Sequence, residues 1–210
     1  MLINTKQDNK FVTILADGTL RLPVTEFTEG AVKREYETSD GKTGTKHELV
    51  FTEISGFITK VEFHDGEYGK LLQITMSEEG EDDVIVSLNT SSNFGEDMMK
   101  KLMSIDTQKK VRLVPYSFTG EKGKSKKGLT VYQDEQKVKN YFTEGEGEKT
   151  KLLHGYPAIP KVAKGKVISS DEWKLYFMQA RLFMIGYIEE NFKLVLAGEV
   201  VGKGMEPKDF

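Results

Sequence analysis

The chain of 210 residues contains no cysteine, which excludes disulfides, thiolate nucleophiles and cysteine-based zinc sites. A cytoplasmic setting is the expectation compatible with that usage. No stretch approaches ~18 consecutive apolar residues, so a membrane-spanning helix is not expected. The polar opening MLINTKQDNK has none of the apolar character of a secretory signal. Histidine is scarce: His47, His64 and His154 stand far apart. Apart from the His64-Asp65 pair in a turn, none has a second His or a carboxylate at metal-ligand spacing on a clear helix, so neither a zinc site nor a catalytic histidine is expected. No P-loop pattern and no GxGxxG follows a strand-like run, so nucleotide hydrolysis has no support. The expectation is a non-enzyme with no cofactor and no metal. A dominant charge sign is lacking too: 30 positive against 33 negative residues give a net charge of -3. That excludes a globally basic nucleic-acid binder but leaves room for a locally basic one. What is present is ordinary for a globular protein, with 38% hydrophobic residues, twelve Phe and eight Tyr to build a core.

The chain divides into four stretches. Residues 1–51 read as an N-terminal extension of β-hairpins. Asp17-Gly18 is the turn signal of the first, between Phe11–Leu15 and Thr19–Val24. A second spans Ala31 to Phe51 with its tip near Ser39–Gly44. Residues 52–142 carry five strand-like runs: Ile54–Phe63, Lys70–Ser77, Asp83–Asn89, Lys110–Phe118 and Gly128–Gln133. Between the third and fourth, Phe94, Met98, Leu102 and Ile105 form one helical stripe, with Ser91, Ser92 or Asn93 available as its cap. Residues 143–167 read as a linker, opening with TEGEGEKT. Residues 168–210 hold a longer helix and a tail. Ser169-Ser170-Asp171-Glu172 is the helix start, and Trp173, Phe177, Ala180, Met184 and Ile188 follow helical spacing.

Alternation sorts strand residues onto two faces. In Lys110–Phe118 one face carries Lys110, Arg112, Val114, Tyr116 and Phe118. Cations and rings together are what a surface needs to neutralise phosphates and stack bases. Tyr132 and Thr130 share one side of the next strand. The intervening TGEKGKSKK is expected to be a mobile loop. Between Lys109 and Lys127 seven cations face only Glu121. By contrast Glu78–Asp83, EEGEDD, repels a nucleic-acid backbone and so lies off its path or limits it at one end.

Three strands, a helix and two strands is the order of an OB-fold, a five-stranded barrel that binds oligonucleotides with one face and two loops. The expected fold is therefore mainly β: a five-stranded OB barrel with N-terminal hairpins and a C-terminal helical extension. The runs ISGFITKVEFHDGEYGKLLQITM, DVIVSLN, NFGEDMMKKLMSI, KKVRLVPYSF and KGLTVYQDEQKVKNYF resemble single-stranded DNA-binding proteins of tailed bacteriophages. The resemblance covers residues 54–142. It implies sequence-tolerant coating of single-stranded DNA in phage replication or recombination. The expected partners are single-stranded DNA, replication or recombination proteins and further copies of the chain, with no membrane. Such proteins often end in an acidic tail closed by an aromatic residue. Here Phe210 is present and the acidic run is not, which puts recruitment through the tail in doubt.

The candidate DNA-binding residues are Lys60, Tyr68, Lys70, Lys110, Arg112, Tyr116, Phe118, Lys122, Lys124, Lys126, Lys127 and Tyr132. Tyr116, Phe118, Tyr132 and Tyr68 are stacking candidates at ~1–3 kcal/mol per base; the other reading makes them packing residues. The cations are phosphate contacts, or they solvate an exposed strand and a loop tip. The helix from Trp173 to Ile188 has a face too broad for isolated exposure: it packs on the barrel, or it docks a second copy or a replication partner. A competing function is a non-catalytic protein-interaction or virion assembly module on a β-barrel.

Overall fold

Turn-forming residues cut the chain into short alternating segments, and those segments become strands. The structure, a computed structural model, describes residues 10–38, 41–120, 123–145, 147–160 and 167–194. Strand β1 (Lys10–Ile14) and β2 (Leu20–Val24) flank the Asp17-Gly18 turn, where the Thr19 N–H donates to Asp17 Oδ1 at 2.9 Å. Strands β3 (Val32–Glu37) and β4 (Thr43–Phe51) pair antiparallel. Then come β5 (Ile54–Gly66), β6 (Gly69–Ser77), β7 (Val84–Asn89), α1 (Asn93–Leu102), β8 (Val111–Thr119) and β9 (Ser125–Gln133). Short strands β10 (Gln136–Lys137), β11 (Thr143–Glu144) and β12 (Lys151–Leu152) precede α2 (Ser170–Asn191). Among the described residues no helix is long and apolar enough to cross a membrane.

The principal sheet has ten strands in the order β10-β9-β8-β5-β6-β7-β1-β2-β4-β3. The five strands expected from residues 52–142 run together inside it, as β9-β8-β5-β6-β7. Strand β5 serves two neighbours. Its residues Ile54–Gly56 pair with β8, and Phe57–Gly66 pair with β6 across an irregularity between Ile58 and Lys60. A closed five-stranded barrel was expected, and the structure corrects this to an open ten-stranded sheet. Two local causes are visible. Strand β1 lies parallel along β7, Lys10–Thr13 against Val84–Ser87, and takes the edge that closure needs; an unpaired strand edge accepts such an addition. On β9, both outward groups of Leu129 are already held by α1. The Leu129 N–H donates to Asp97 Oδ2 at 2.9 Å, and its carbonyl accepts from Lys101 Nζ.

Apolar alternation fills the core from both sides. Leu72, Ile74 and Met76 of β6, Val86 and Leu88 of β7, Val111 and Leu113 of β8, and Leu129 and Val131 of β9 are buried under Met98, Met99 and Leu102 of α1. Each such side chain contributes ~1.5–3 kcal/mol when fully removed from water. Helix α1 begins as expected, with Ser92 Oγ accepting the Gly95 N–H at 3.1 Å. It ends at Leu102 instead of Ile105, because the Ser104 and Ile105 N–H groups bond only three residues back. Helix α2 starts on a capping box: Ser169 accepts from the Glu172 N–H, and the Glu172 carboxylate accepts from the Ser169 N–H. Its buried line is Tyr176, Ala180, Met184 and Ile188. Trp173 and Phe177, expected on that line, instead stack on each other 5.5 Å apart, with Phe177 exposed. Within 143–160, β11 pairs with β12, and Tyr156 returns to the core against Phe142, their rings 5.6 Å apart.

Candidate nucleic-acid interface

Strands β8 and β9 form a two-stranded ribbon whose register decides which side chains meet. Arg112 lies opposite Tyr132, Val114 opposite Thr130, Tyr116 opposite Gly128, and Phe118 opposite Lys126. Val111, Leu113 and Pro115 point into the core, so the alternate residues face outward. Tyr116 is 36% exposed and Phe118 52%, and their rings lie 5.8 Å apart at a 36° tilt. Gly128 leaves the space for Tyr116: a Cβ there would meet the Tyr116 hydroxyl and the Asp97 carboxylate. Burial, with Asp97 nearby, pushes the Tyr116 phenol above its ordinary pKa, so it stays a neutral donor. The β1–β2 turn abuts the β8 backbone at Tyr116 and Ser117. Gly18, buried at φ +80°, sits so close that a Cβ would fall 2.6 Å from Ser117 N and 2.7 Å from the Tyr116 carbonyl carbon.

The lysine-rich stretch is shorter as a loop than expected. Strand β9 begins at Ser125, not Gly128, so Lys126 and Lys127 are strand residues facing Phe118 and Ser117. The tip turns through Gly123 at φ +70°, and the Gly120 N–H donates to Lys124 O at 2.8 Å. Alternation puts Lys126 on the face of Phe118 and Lys127 on the other. Lys122 lies outside the described residues.

Ion pairing divides the candidate cations into two groups. Lys110, which precedes β8 instead of starting it, pairs with Glu78 of the acidic turn. Arg112 pairs with Glu53 at 3.1 Å and Glu135 at 2.8 Å, and its guanidinium lies 4.6 Å from the Tyr132 ring centre. Lys60 pairs with Glu62 at 2.9 Å, and Lys70 with Glu189 at 3.2 Å. Among the described residues no ion pair engages Lys124, Lys126 or Lys127. A groove of about 340 Å³ lined by Lys110, Arg112, Tyr132, Asp134 and Glu135 therefore holds as much negative as positive charge. The sequence joined all these residues into one basic face. The structure leaves the base of the ribbon compensated and the tip basic.

The tip has company. Asn89 Nδ2 donates to the Tyr68 carbonyl at 3.2 Å, and Asn93 Nδ2 donates to the Lys127 carbonyl at 3.2 Å. One tight turn separates the two asparagines, closed by the Ser92 N–H on Asn89 O at 3.0 Å. The β5–β6 turn, with Tyr68 74% exposed, and the β8–β9 tip thus flank the start of α1. Tyr68, Lys70, Tyr116, Phe118, Lys124, Lys126 and Lys127 gather at this end, while Lys110, Arg112 and Tyr132 lie at the other. Asn89 and Asp97 escaped the sequence reading, and Asn93 entered it only as a possible helix cap: their bonds go to backbone atoms 21, 34 and 32 residues away, and no local pattern marks those partners. Among the described residues no group of His, Asp or Glu side chains is arranged to hold a metal ion.

Comparison of the chain with protein-family models, with curated proteins and with solved structures finds no match in any of the three.

Proposed function

We propose that the chain binds single-stranded DNA without sequence preference, as a non-catalytic coating protein acting in phage replication or recombination. The strand is seated across the tip of the β8–β9 ribbon and the Tyr68 turn. The observation that carries this reading is the exposed Tyr116–Phe118 ring pair on a ribbon whose tip carries Lys124, Lys126 and Lys127, none of them paired with a carboxylate among the described residues. Bases stack on rings whatever their identity, and free lysines track the phosphates. The acidic end of the ribbon, around Glu78, Glu53 and Glu135, limits the path. The OB reading of β5 to β9 belongs to the same proposal: strand order and helix placement are those of that fold, with α1 side chains occupying the β9 edge that β7 would otherwise pair. Anisotropy of labelled oligo-dT, with duplex and RNA competitors, tests it. Binding that survives duplex competition and weakens with salt supports the proposal; no binding at low salt refutes it. The alternative of a protein-interaction module draws on a different observation, the apolar outer face of α2.

A further inference from the structure

At the end of α1 away from the ribbon tip, Tyr141 and His154 stack face to face, their ring centres 3.9 Å apart and their planes within 8°. Tyr141 is fixed in place: its backbone N–H donates to the Lys100 carbonyl at 2.7 Å, and its hydroxyl lies 3.2 Å from that of Tyr187. His154 stands on a turn in which the Tyr156 N–H donates to Leu153 O at 3.0 Å, and the Leu153 N–H ties the turn to Phe142 O at 2.9 Å. Both central residues are left-handed, His154 at φ +54° and Gly155 at φ +77°. Glycine, asparagine and aspartate are the usual occupants of such positions, so an imidazole is held there against local preference. Tyr187 lies 6.2 Å from His154 and 5.8 Å from Tyr141, so it flanks the stack and does not cap it. His154 is exposed, and the face turned away from Tyr141 is open.

A groove of about 740 Å³ borders this stack, lined by Lys139, Asn140, Tyr141, Glu144, Leu153 and His154, a size that suits a small organic ligand. Its polar groups are uncommitted. Among the described residues no ion pair engages Lys139 or Glu144, and Lys151, opposite Glu144 in the β11–β12 ladder, does not pair with it. Asn140 accepts the Phe142 N–H through Oδ1 at 2.9 Å, which leaves its amide hydrogens to donate. We propose that the groove binds a free nucleoside monophosphate whose base carries an exocyclic amine. The base extends the Tyr141–His154 stack. The phosphate accepts from the neighbouring Lys139 and Asn140 side chains, and the amine donates to Glu144. Stacking is indifferent to which base is present, so the charges set the class. A single strand offers a phosphate at every step and sets one beside Glu144, which selects the mononucleotide. The site is separate from the ribbon tip, so failure of either proposal leaves the other standing.

The chain has three histidines, so their ring protons give a simple magnetic resonance spectrum in which His154→Asn identifies one signal. Asparagine accepts a left-handed backbone, so this variant removes the ring and keeps the turn, with an unchanged melting temperature. AMP is expected to shift the His154 signal and leave those of His47 and His64 in place. By calorimetry, His154→Asn and Lys139→Gln should each bind AMP about tenfold or more weakly, as should wild type with adenosine in place of AMP. UMP, whose base lacks the amine, should bind more weakly than AMP to wild type and no differently from AMP to Glu144→Gln. A His154 signal unmoved by millimolar AMP, equal AMP affinity in His154→Asn, or an oligo-dA that moves the signal at lower concentration than AMP overturns the proposal.

Discussion

Salt dependence of binding separates the structural reading of the interface from the one the sequence suggested. For single strands, log K falls against log salt by about 0.7 per phosphate contact. Eight candidate cations, Lys60, Lys70, Lys110, Arg112, Lys122, Lys124, Lys126 and Lys127, all used as phosphate contacts, give a slope of about -5.6, or a loss of roughly 2000-fold between 50 and 200 mM salt. The ion pairs change this. Lys60, Lys70, Lys110 and Arg112 already face carboxylates of the same chain. Drawing them to phosphate uncovers a carboxylate beside the DNA backbone. Lys124, Lys126 and Lys127 remain, so the slope expected is about -2, or roughly 20-fold over the same range, and about -2.8 with Lys122. The assay is anisotropy of a labelled oligo-dT at five or six salt concentrations with a fixed anion. A slope steeper than about -4 refutes the argument from charge compensation, and a flat line refutes phosphate contact at the ribbon tip altogether.

Three other outcomes follow from particular contacts. Tyr116→Ala with Phe118→Ala should weaken oligo-dT binding by at least tenfold, at ~1–3 kcal/mol for each base stacked, while the thermal transition stays cooperative; equal affinity removes the rings from the site. Gly18→Ala should lower stability by ~1–2 kcal/mol from the left-handed backbone alone, and by more because of the collision with β8, so a melting temperature within a degree of wild type contradicts the turn-on-strand contact. Buried Glu48 accepts two bonds from Arg34, at 2.7 and 2.8 Å, and these hold its carboxyl below the usual glutamate value. A carboxyl depressed in the folded state stabilises fully above its unfolded pKa, and that stability is lost as pH falls through the folded value. Melting temperatures followed from neutral pH downward should therefore fall less steeply in Glu48→Gln, and parallel curves refute the assignment.

Local chemistry was legible in the sequence wherever a pattern of two or three residues decides the structure. The Asp17-Gly18 turn, the Ser169–Glu172 cap and the alternation of Val111, Leu113 and Pro115 against Arg112, Val114 and Tyr116 all follow from near neighbours. Pairings between distant segments left no such trace. The parallel placement of β1 on β7 joins residues some seventy positions apart, and with it went the expectation of a closed barrel. Lysines 126 and 127 read as loop because a polar run shows no strand periodicity, yet the hairpin register carries them into β9. The interface was misjudged for a similar reason. Cations counted along the chain look basic, but Glu78, Glu53 and Glu135 reach Lys110 and Arg112 from 32, 59 and 23 residues away.

The grip of α1 on Leu129 has a mechanical side. Asp97 and Lys101 sit one turn apart on a helix whose Met98, Met99 and Leu102 are wholly buried, and Asn93 fastens Lys127 from the same helix. Burial, opposed only in part by Asp97, pulls the Lys101 ammonium below its ordinary pKa, so a buried contact is made at some electrostatic cost. The outer strand of the ribbon is therefore riveted to the densest part of the molecule at two successive points. A ligand stacked on that ribbon meets a stiff anvil instead of a waving flap, and little ordering entropy is left to lose on contact.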